Sequence, residues 1–255
     1  MTKRIDYLKV IENKPLKTDF FIIGLESTVK LPEMKPGQFV QALVEGSKET
    51  FLRRPLSVHD IDYDRNVIKL LVQVVGKGTE SLSRLKKGSS LNLIYPLGNS
   101  FTLPEKAAHT LMVGGGCGIA PLLYLGRYLK SHGIIPDILL GFRNQDRILE
   151  YNDYESVGNV FLTTEDGSAG EKGIVTNHSL LTKTGYDKVY CCGPEMMMKA
   201  IARWCKKNNA DCEVSLENLM GCGIGACLCC VVDTVKGHLC TCTDGPVFNT
   251  KELKW

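Results

Sequence analysis

Four cysteines near the C-terminus have both the type and the spacing to bind a redox cluster. They are Cys222, Cys227, Cys230 and Cys242. Four residues separate the first two, two separate the next two, and eleven precede the last. This spacing is one that binds [2Fe–2S] clusters, which are one-electron carriers. Gly221, Gly223 and Gly225 flank the first ligands, and glycine permits the tight turns that aim amide N–H groups at cluster sulfurs.

Zinc, disulfides and unreactive thiols are the alternative interpretations of these cysteines. Structural zinc sites usually use two C-x2–4-C pairs, whereas here three cysteines lie together and one lies apart. Disulfides are typical of secreted chains, and residues 1–10 are charged and lack the apolar core of a signal peptide. The spacing favours the cluster, with zinc next. Cys229 and Cys240 are left over and are expected to pack as small side chains; spacing alone excludes Cys229.

The length and composition limit the possible classes of protein. A chain of 255 residues is sufficient for two ordinary domains and a small metal-binding module. Hydrophobic residues make up 44% of it and charged residues 23%, which is typical of a soluble globular protein. The net charge of +3 is too weak to indicate a nucleic-acid or membrane partner. Eleven cysteines without an export signal predict a cytoplasmic location.

Two kinds of element must position the reactive residues. Short apolar segments between turn residues predict a small N-terminal antiparallel β-barrel, with strands at Phe20–Leu25, Gln38–Val44, Leu52–His59, Val67–Val75 and Ser90–Tyr95. From Thr110 onward, strands alternate with helices, which predicts a doubly wound parallel α/β sheet. Its helices are expected at Ile119–His132, Asp146–Asp153, Thr176–Thr184 and Glu195–Asn208. We therefore expect domains over residues 1–103 and 104–216 and a cysteine-rich module over 217–255.

A glycine-rich segment joins the first strand of the α/β region to a helix. It reads Gly114-Gly115-Gly116-Cys117-Gly118-Ile119-Ala120-Pro121. Glycines let the backbone approach a pyrophosphate, and a helix N-terminus favours its negative charge; proline suits the first helical turn. Cys192-Gly193-Pro194 ends a later strand, so both turns should face one crevice. The alternatives are a tight turn without a ligand and an ordinary strand-to-helix turn.

Two segments of the predicted barrel have residues suited to phosphate or flavin. In Arg53-Arg54-Pro55-Leu56-Ser57, an arginine could bind a phosphate and the serine could bond a flavin ring; the alternative is an ordinary edge strand, where proline is tolerated. In Gly76-Lys77-Gly78-Thr79, backbone amides could cradle a second phosphate; the alternative is helix capping by Thr79. Met196-Met197-Met198, by contrast, opens a helix and is expected in the core.

Taken in chain order, these motifs resemble the ferredoxin reductase superfamily, whose members carry an R-x-x-S flavin strand, a G-x-G-x-x-P nucleotide loop and a C-G-P turn. The C-terminal segments 222–227 and 242–248 are similar to those of the electron transfer subunits of dihydroorotate dehydrogenase B, as are residues 54–57 and 76–79. The resemblance covers nearly the whole chain. It departs at Cys117, where an apolar residue is expected.

The resemblance implies a role for each matching residue. FAD would be held by Arg54, Pro55, Leu56, Ser57, Leu71, Val72, Gln73, Gly78 and Thr79. The nicotinamide nucleotide would be bound by Gly114, Gly115, Gly116, Gly118, Pro121, Gly193 and Pro194, with Cys192 as the catalytic residue. The cluster would be ligated by Cys222, Cys227, Cys230 and Cys242.

The same resemblance implies an electron path. NAD exchanges two electrons as a hydride, the cluster passes one, and a flavin does both, so FAD should lie between them. The family's direction runs from dihydroorotate to a partner's flavin, then to the cluster, FAD and NAD+, in pyrimidine biosynthesis. The expected partner is the FMN-containing catalytic subunit, with two copies of each chain in a heterotetramer. One edge of the cluster should stay open for electron entry.

Other functions agree with the same motifs. One is the flavin and iron–sulfur subunit of an NADH-dependent ferredoxin:NADP oxidoreductase or of an anaerobic sulfite reductase. Another, of a different class, is a zinc-stabilised binding protein without flavin. We expect NAD(H) rather than NADP(H), because a 2′-phosphate needs several cations and Arg143 beside Asp146 is a poor site for it. The alternative is that Arg143 simply pairs with a nearby acid.

Overall fold

A computed structural model describes residues 3–45, 49–105, 108–182 and 185–255. The described part of the first hundred residues forms seven strands and one short helix: β1 (Arg4–Pro15), β2 (Phe20–Glu26), β3 (Phe39–Ala42), β4 (Arg54–Ser57), β5 (Asp60–Asp62), β6 (Val67–Gln73), α1 (Lys77–Ser83) and β7 (Ser90–Leu97). The strands lie in the order β4-β3-β7-β1-β2-β6-β5, and all neighbours are antiparallel. The predicted barrel is therefore present as an antiparallel half-barrel sheet around one apolar core.

The sequence pattern missed β1, which is 12 residues long and pairs on both sides, with β2 and β7. Within β1 only Leu8 and Val10 are buried, whereas Ile5 and Tyr7 are 63% and 58% exposed. Charged residues fill most of its remaining positions. A strand that is defined by backbone pairing rather than by an apolar face gives a weak sequence signal.

The second sheet also has seven strands. They are β8 (Thr110–Gly115), β9 (Asp137–Phe142), β10 (Asn159–Thr164), β11 (Glu171–Lys172), β12 (Lys188–Cys192), β13 (Asp211–Ser215) and β16 (Val247–Asn249), with helices α2 (Ala120–Ser131), α3 (Tyr151–Glu155) and α4 (Glu195–Lys207). The order is β11-β10-β9-β8-β12-β13-β16, parallel except for the last pair. The chain reverses direction across the sheet between β8 and β12, which is where doubly wound sheets bind ligands.

The predicted helix at Thr176–Thr184 is wrong over the residues described, and residues 183–184 lie outside them. The chain there forms two 3₁₀ turns, at Val175–Asn177 and Ser179–Thr182. Side chains accept local backbone amides instead: His178 Nδ1 accepts from Leu180 N, which an α-helix would pair with Thr176 O, and Asn177 Oδ1 accepts from Ile174 N just before the predicted helix. Such local bonds compete with helix formation.

The cysteine-rich module is tied to both sheets. It contains a hairpin of β14 (Val231–Thr234) and β15 (Gly237–Cys240). After it, β16 returns to pair with β13, and Leu216 N donates to Pro246 O (2.9 Å) where the module leaves and rejoins the sheet. On the other side, Cys230 and Cys242 pack in one apolar cluster with Phe39 and Leu97 of the first sheet.

A buried histidine joins the two sheets. His59 is 1% exposed; its Nδ1 lies 2.7 Å from Ala120 O and its Nε2 lies 2.6 Å from Glu150 Oε2. Tyr124 adds a hydrogen bond across the same interface, from its hydroxyl to Met34 O (2.7 Å).

Among the described helices, none is long and apolar enough to cross a bilayer.

A buried lysine secures the opposite end of the second sheet. Lys188 Nζ lies 2.6 Å from Asp211 Oδ2 and 3.1 Å from Glu213 Oε1, and it donates to Thr102 Oγ1 at 3.0 Å. Glu213 also accepts from the Thr102 backbone and hydroxyl. The network fixes the segment that links the two sheets.

We expect Lys188→Met to lower the free energy of unfolding by about 3 kcal/mol, because it leaves the Glu213 carboxylate buried without its cation. Urea denaturation measures the change. The control is Arg84→Met, which removes only the exposed pair with Glu80 and should cost less than about 0.5 kcal/mol. Equal effects of the two substitutions would show that the buried network adds nothing.

Candidate functional site

A cleft of about 810 Å³ lies between the two sheets. Its floor comes from the carboxyl ends of parallel strands, at Gly115, Phe142 and Thr163, and its opposite wall from Phe20 and Gln73 of the first sheet. The volume is in the range of small-molecule and cofactor pockets. The cleft opens at the point where the strand order reverses, as a doubly wound sheet predicts.

The glycine loop and the Cys192-Gly193-Pro194 turn are in direct contact at this cleft. A Cβ on Gly118 would lie 2.4 Å from the carbonyl carbon of Cys192 and from Gly193 Cα. Gly116 has φ +55° and would meet nothing within 4 Å, so its backbone is open to the cleft. Gly115 and Pro194 also line it, whereas Gly114 packs against Leu122. Only glycine allows this close approach of the two turns.

The Cys192 thiol lies behind the turn rather than on the cleft wall. It is 0% exposed, and burial raises its pKa well above the ordinary value. Cys117 is the cysteine that lines the cleft, beside Glu217. Burial is the main reason that the pKa of Cys117 is raised to about 12, and the nearby Glu217 carboxylate adds to the effect. At neutral pH Cys117 is therefore a thiol rather than a reactive thiolate. The catalytic role of Cys192 stays a prediction.

The prediction that Met196, Met197 and Met198 lie in the core is only partly correct. Met198 is buried in the core as predicted, but Met196 and Met197 line the cleft, and Met196 is 72% exposed. A Cβ on Gly115 would lie 2.7 Å from Met197 Sδ, so this side chain packs directly on the glycine loop. Glu217 was also missed; it lies two residues after the carboxyl end of β13, at the edge of the sheet that forms the cleft.

The predicted flavin segments lie side by side. All four residues of β4, Arg54 to Ser57, are half-buried. The Arg54 guanidinium crosses the start of α1 so closely that a Cβ on Gly78 would lie 2.5 Å from Arg54 Nε. This glycine-lined cradle suits a phosphate group held by the arginine. The hydroxyl of Thr79 accepts from Val75 N (2.9 Å) and Gly76 N (3.3 Å), so it also caps the helix.

The third predicted flavin segment contributes one side chain to the cleft. Leu71 and Val72 are buried in the two cores, 2% and 1% exposed. Gln73 lines the cleft, and its Nε2 donates to Asp19 Oδ2 at 2.6 Å. Asp19 in turn lies 3.0 Å from Arg147 Nη1 of the second sheet. Leu71 and Val72 therefore present almost no surface to a ligand, and their role in flavin binding stays a prediction.

Backbone amides point at the sulfurs of all four predicted ligands. Cys222 Sγ accepts from the N–H groups of Ile224, Ala226 and Cys227, at 3.3 to 3.4 Å. The other three thiols accept one each: Cys227 from Cys222 N (3.4 Å), Cys230 from Cys242 N (3.4 Å) and Cys242 from Gly225 N (3.2 Å). Amides directed at sulfur are what a cluster-binding loop requires.

The four cysteines form two pairs. The described residues contain no group of three or more metal-binding side chains gathered as for a single ion. Instead, contacts link Cys222 to Cys227 and Cys230 to Cys242, which suits two iron atoms with two thiolates each. The second pair is buried, at 3% and 1% exposure, whereas Cys227 is exposed.

The electrostatics of the pairs differ in the same way. The N–H of Ile224, with those of Cys227 and Ala226, lowers the pKa of Cys222 to about 6. Burial raises the pKa of Cys242 to about 12. The open edge is therefore set for a thiolate before any metal binds. Cys229 is exposed, and its thiol lies 3.9 Å from Leu219 O.

Comparisons with known proteins agree with this geometry. Residues 217–254 match the model of the iron–sulfur cluster binding domain of dihydroorotate dehydrogenase B. The chain is 38% identical over 253 residues to the dihydroorotate dehydrogenase B (NAD(+)) electron transfer subunit of Clostridium acetobutylicum, covering 99% of this chain and 98% of the relative. It is 41% identical over 249 residues to that of Caldanaerobacter subterraneus subsp. tengcongensis, covering 96% of each.

Solved structures share the fold. The structure of an NADH-dependent reduced ferredoxin-NADP oxidoreductase matches with a TM-score of 0.88 and 32% identity, over 97% of this chain and 90% of that one. A ferredoxin reductase in carbazole 1,9a-dioxygenase matches with a TM-score of 0.71 and 20% identity, over 82% and 67%. The second likeness shows the ferredoxin reductase-like fold alone.

We expect Cys242→Ser to lose the cluster or hold it weakly, because a buried thiolate ligand is replaced by a hydroxyl. Cys229→Ser is the matched control and should keep it. Iron and acid-labile sulfide, determined on anaerobically purified protein, should be near two each for the control. A normal cluster spectrum in Cys242→Ser would contradict the ligand assignment.

Proposed function

Because the chain belongs to the family of dihydroorotate dehydrogenase B electron transfer subunits, we propose that it carries electrons from a dihydroorotate-oxidising partner to NAD+ through a [2Fe–2S] cluster and FAD. One observation carries the proposal: the two cysteine pairs differ in burial. Cys230 and Cys242 are buried against Phe39 and Leu97 of the first sheet, whereas Cys227 is exposed. A cluster held by these four residues would lie between the first sheet and the solvent.

The cleft and the neighbouring flavin segments would bind the two nucleotides. Arg54, which lies beside Gly78, would hold a flavin phosphate, and Ser57 on the same strand would contact the flavin ring. Gly116, Gly193 and Pro194 would form the nicotinamide side. Bound there, a flavin exchanges two electrons with a nicotinamide and one with a cluster. Phe20 from the first sheet and Phe142 from the second would add apolar surface on opposite sides of the bound nucleotides.

The open cluster edge is the proposed docking surface for the partner. Three large apolar side chains are exposed in the cluster loop: Leu219 at 86%, Ile224 at 49% and Leu228 at 64%. Exposed apolar side chains gathered around a functional group are typical of an interface. The partner would be the FMN-containing catalytic subunit, and we propose two copies of each chain in the cytoplasm.

The docking surface can be tested by charge insertion. We expect Leu219→Glu with Leu228→Glu to abolish co-elution with the co-expressed catalytic subunit and to lose at least tenfold in dihydroorotate:NAD+ activity. NADH-dependent dye reduction by the chain itself should be unchanged, because the cleft is untouched. Ile135→Glu, at a 53% exposed site in the second sheet's connections, is the control and should associate normally.

The likeness to the ferredoxin-NADP oxidoreductase structure favours one competing function. If the unmodified chain neither binds the catalytic subunit nor supports dihydroorotate:NAD+ activity, yet reduces a ferredoxin with NADH, that competing function replaces the one proposed.

The cleft also supports a preference for NAD(H). Arg143 lines it without an ion pair to any described residue, but Glu165 lines the same region, and the second arginine, Arg147, is held by Asp19. A 2′-phosphate there would meet a carboxylate beside a single free cation, which is unfavourable. The adenosine ribose with a free 2′-hydroxyl fits better, since a carboxylate can accept from it.

We expect Glu165→Lys to raise the ratio of kcat/KM for NADPH over NADH by at least tenfold, since it replaces a repelling charge by an attracting one. The control is Glu155→Lys, an equal change of charge at an exposed residue that does not line the cleft. Steady-state dye reduction with both nucleotides measures the ratio. Comparable values for NADH and NADPH in the unmodified protein would refute the preference.

A further inference from the structure

Gln41 is a buried polar side chain without a partner. It lies on β3 and is 0% exposed. Neither its Nε2 nor its Oε1 makes a hydrogen bond to any residue that the structure describes. Buried amides are almost always hydrogen-bonded, so such a group calls for a partner that the protein chain does not supply.

The orphaned amide faces the cluster loop. Alternation along β3 places Val40 and Ala42 in the core of the first sheet, and Phe39 and Gln41 on the other face. On that face, Phe39 packs with Cys230 and Cys242. A Cβ on Gly223, the residue after Cys222, would lie 2.6 Å from Gln41 Cγ and 2.7 Å from its Nε2. Glycine at 223 therefore lets the loop close directly over the amide.

Gln41 also touches the flavin side. Its Cα partner on β4 is Pro55, in the middle of the Arg54 to Ser57 strand. Its Cα partner on β7 is Ile94, which packs against the group of apolar side chains that includes Cys230 and Cys242. One residue thus lies between the proposed flavin strand and the proposed cluster site.

We propose that the Gln41 side-chain amide donates a hydrogen bond to the iron–sulfur cluster and thereby sets its reduction potential, as a positioning residue between cluster and flavin. The inference rests on the proposed function, since it needs the cluster to be present. Hydrogen bonds to cluster sulfurs raise the potential, because they stabilise the more negative reduced state.

The test is an EPR-monitored redox titration of anaerobically purified Gln41→Met, which keeps the shape of the side chain and removes the donor. We expect the equilibrium constant for cluster reduction to fall about tenfold, which is about 59 mV in the negative direction for one electron. Gln41→Glu adds a negative charge and should shift it at least as far. The g-values of the reduced cluster should change with the potential.

A second buried glutamine on the same segment is the matched control. Gln38 accepts from Lys35 N (2.8 Å) and donates to Gly98 O (2.9 Å), so its amide is used within the protein. Gln38→Met should lower the melting temperature and leave the equilibrium constant for cluster reduction within a factor of two of the wild-type value. Gln41→Met should shift the equilibrium constant for cluster reduction without lowering the melting temperature, because the Gln41 amide makes no hydrogen bond to a described residue.

The outcomes separate the two proposals. If iron and sulfide analysis finds no cluster in the wild-type protein, both the proposed function and this inference fail. If the cluster is present and Gln41→Met leaves its potential and g-values unchanged, only the inference is overturned. A shift confined to the flavin potential would also overturn it, because the amide would then serve the flavin instead.

Discussion

The contact of His59 with Ala120 and Glu150 is the constraint on which the site depends. The cleft exists only between two sheets, and neither sheet alone binds a dinucleotide against a flavin. A surface pair would hold them weakly, because exposed ion pairs contribute little. His59 is 1% exposed and has an oxygen atom within hydrogen-bond distance of each ring nitrogen, so a shift of one sheet along the other would leave buried polar groups unpaired. That cost makes one relative placement of the two sheets strongly preferred.

The cluster site is likewise held by burial and by hydrogen bonds. Its buried cysteine pair is part of an apolar cluster with first-sheet residues, and its open pair is shaped by amides alone. Packing therefore fixes how far the cluster lies from the flavin strand. The amides hold the open edge without bulky side chains, which keeps that edge accessible.

The sequence predicted most of what depends on local backbone geometry. Cysteine spacing, the glycine loop and the turn at 192–194 all require particular residue types at fixed offsets, so they are readable without a structure. Positions set by distant contacts were not readable. β1 was missed because pairing on both sides, rather than an apolar face, defines it. Met197 and Glu217 reach the cleft because β12 and β13 lie beside β8 in the sheet, and the amide at 180 pairs with a side chain that no periodicity reveals.

The pairing of β16 with β13 has a consequence for how the cluster segment is built into the chain. Residues 217–246 leave the second sheet and rejoin it at the same edge, where Leu216 and Pro246 are joined by a backbone hydrogen bond. The segment is thus a closed insertion whose ends are already adjacent. The pairing of β16 with β13, rather than metal binding, offsets the entropy that is lost when this loop closes. The cysteine-rich segment can therefore project from the edge of the second sheet while both of its ends stay fixed by β13 and β16.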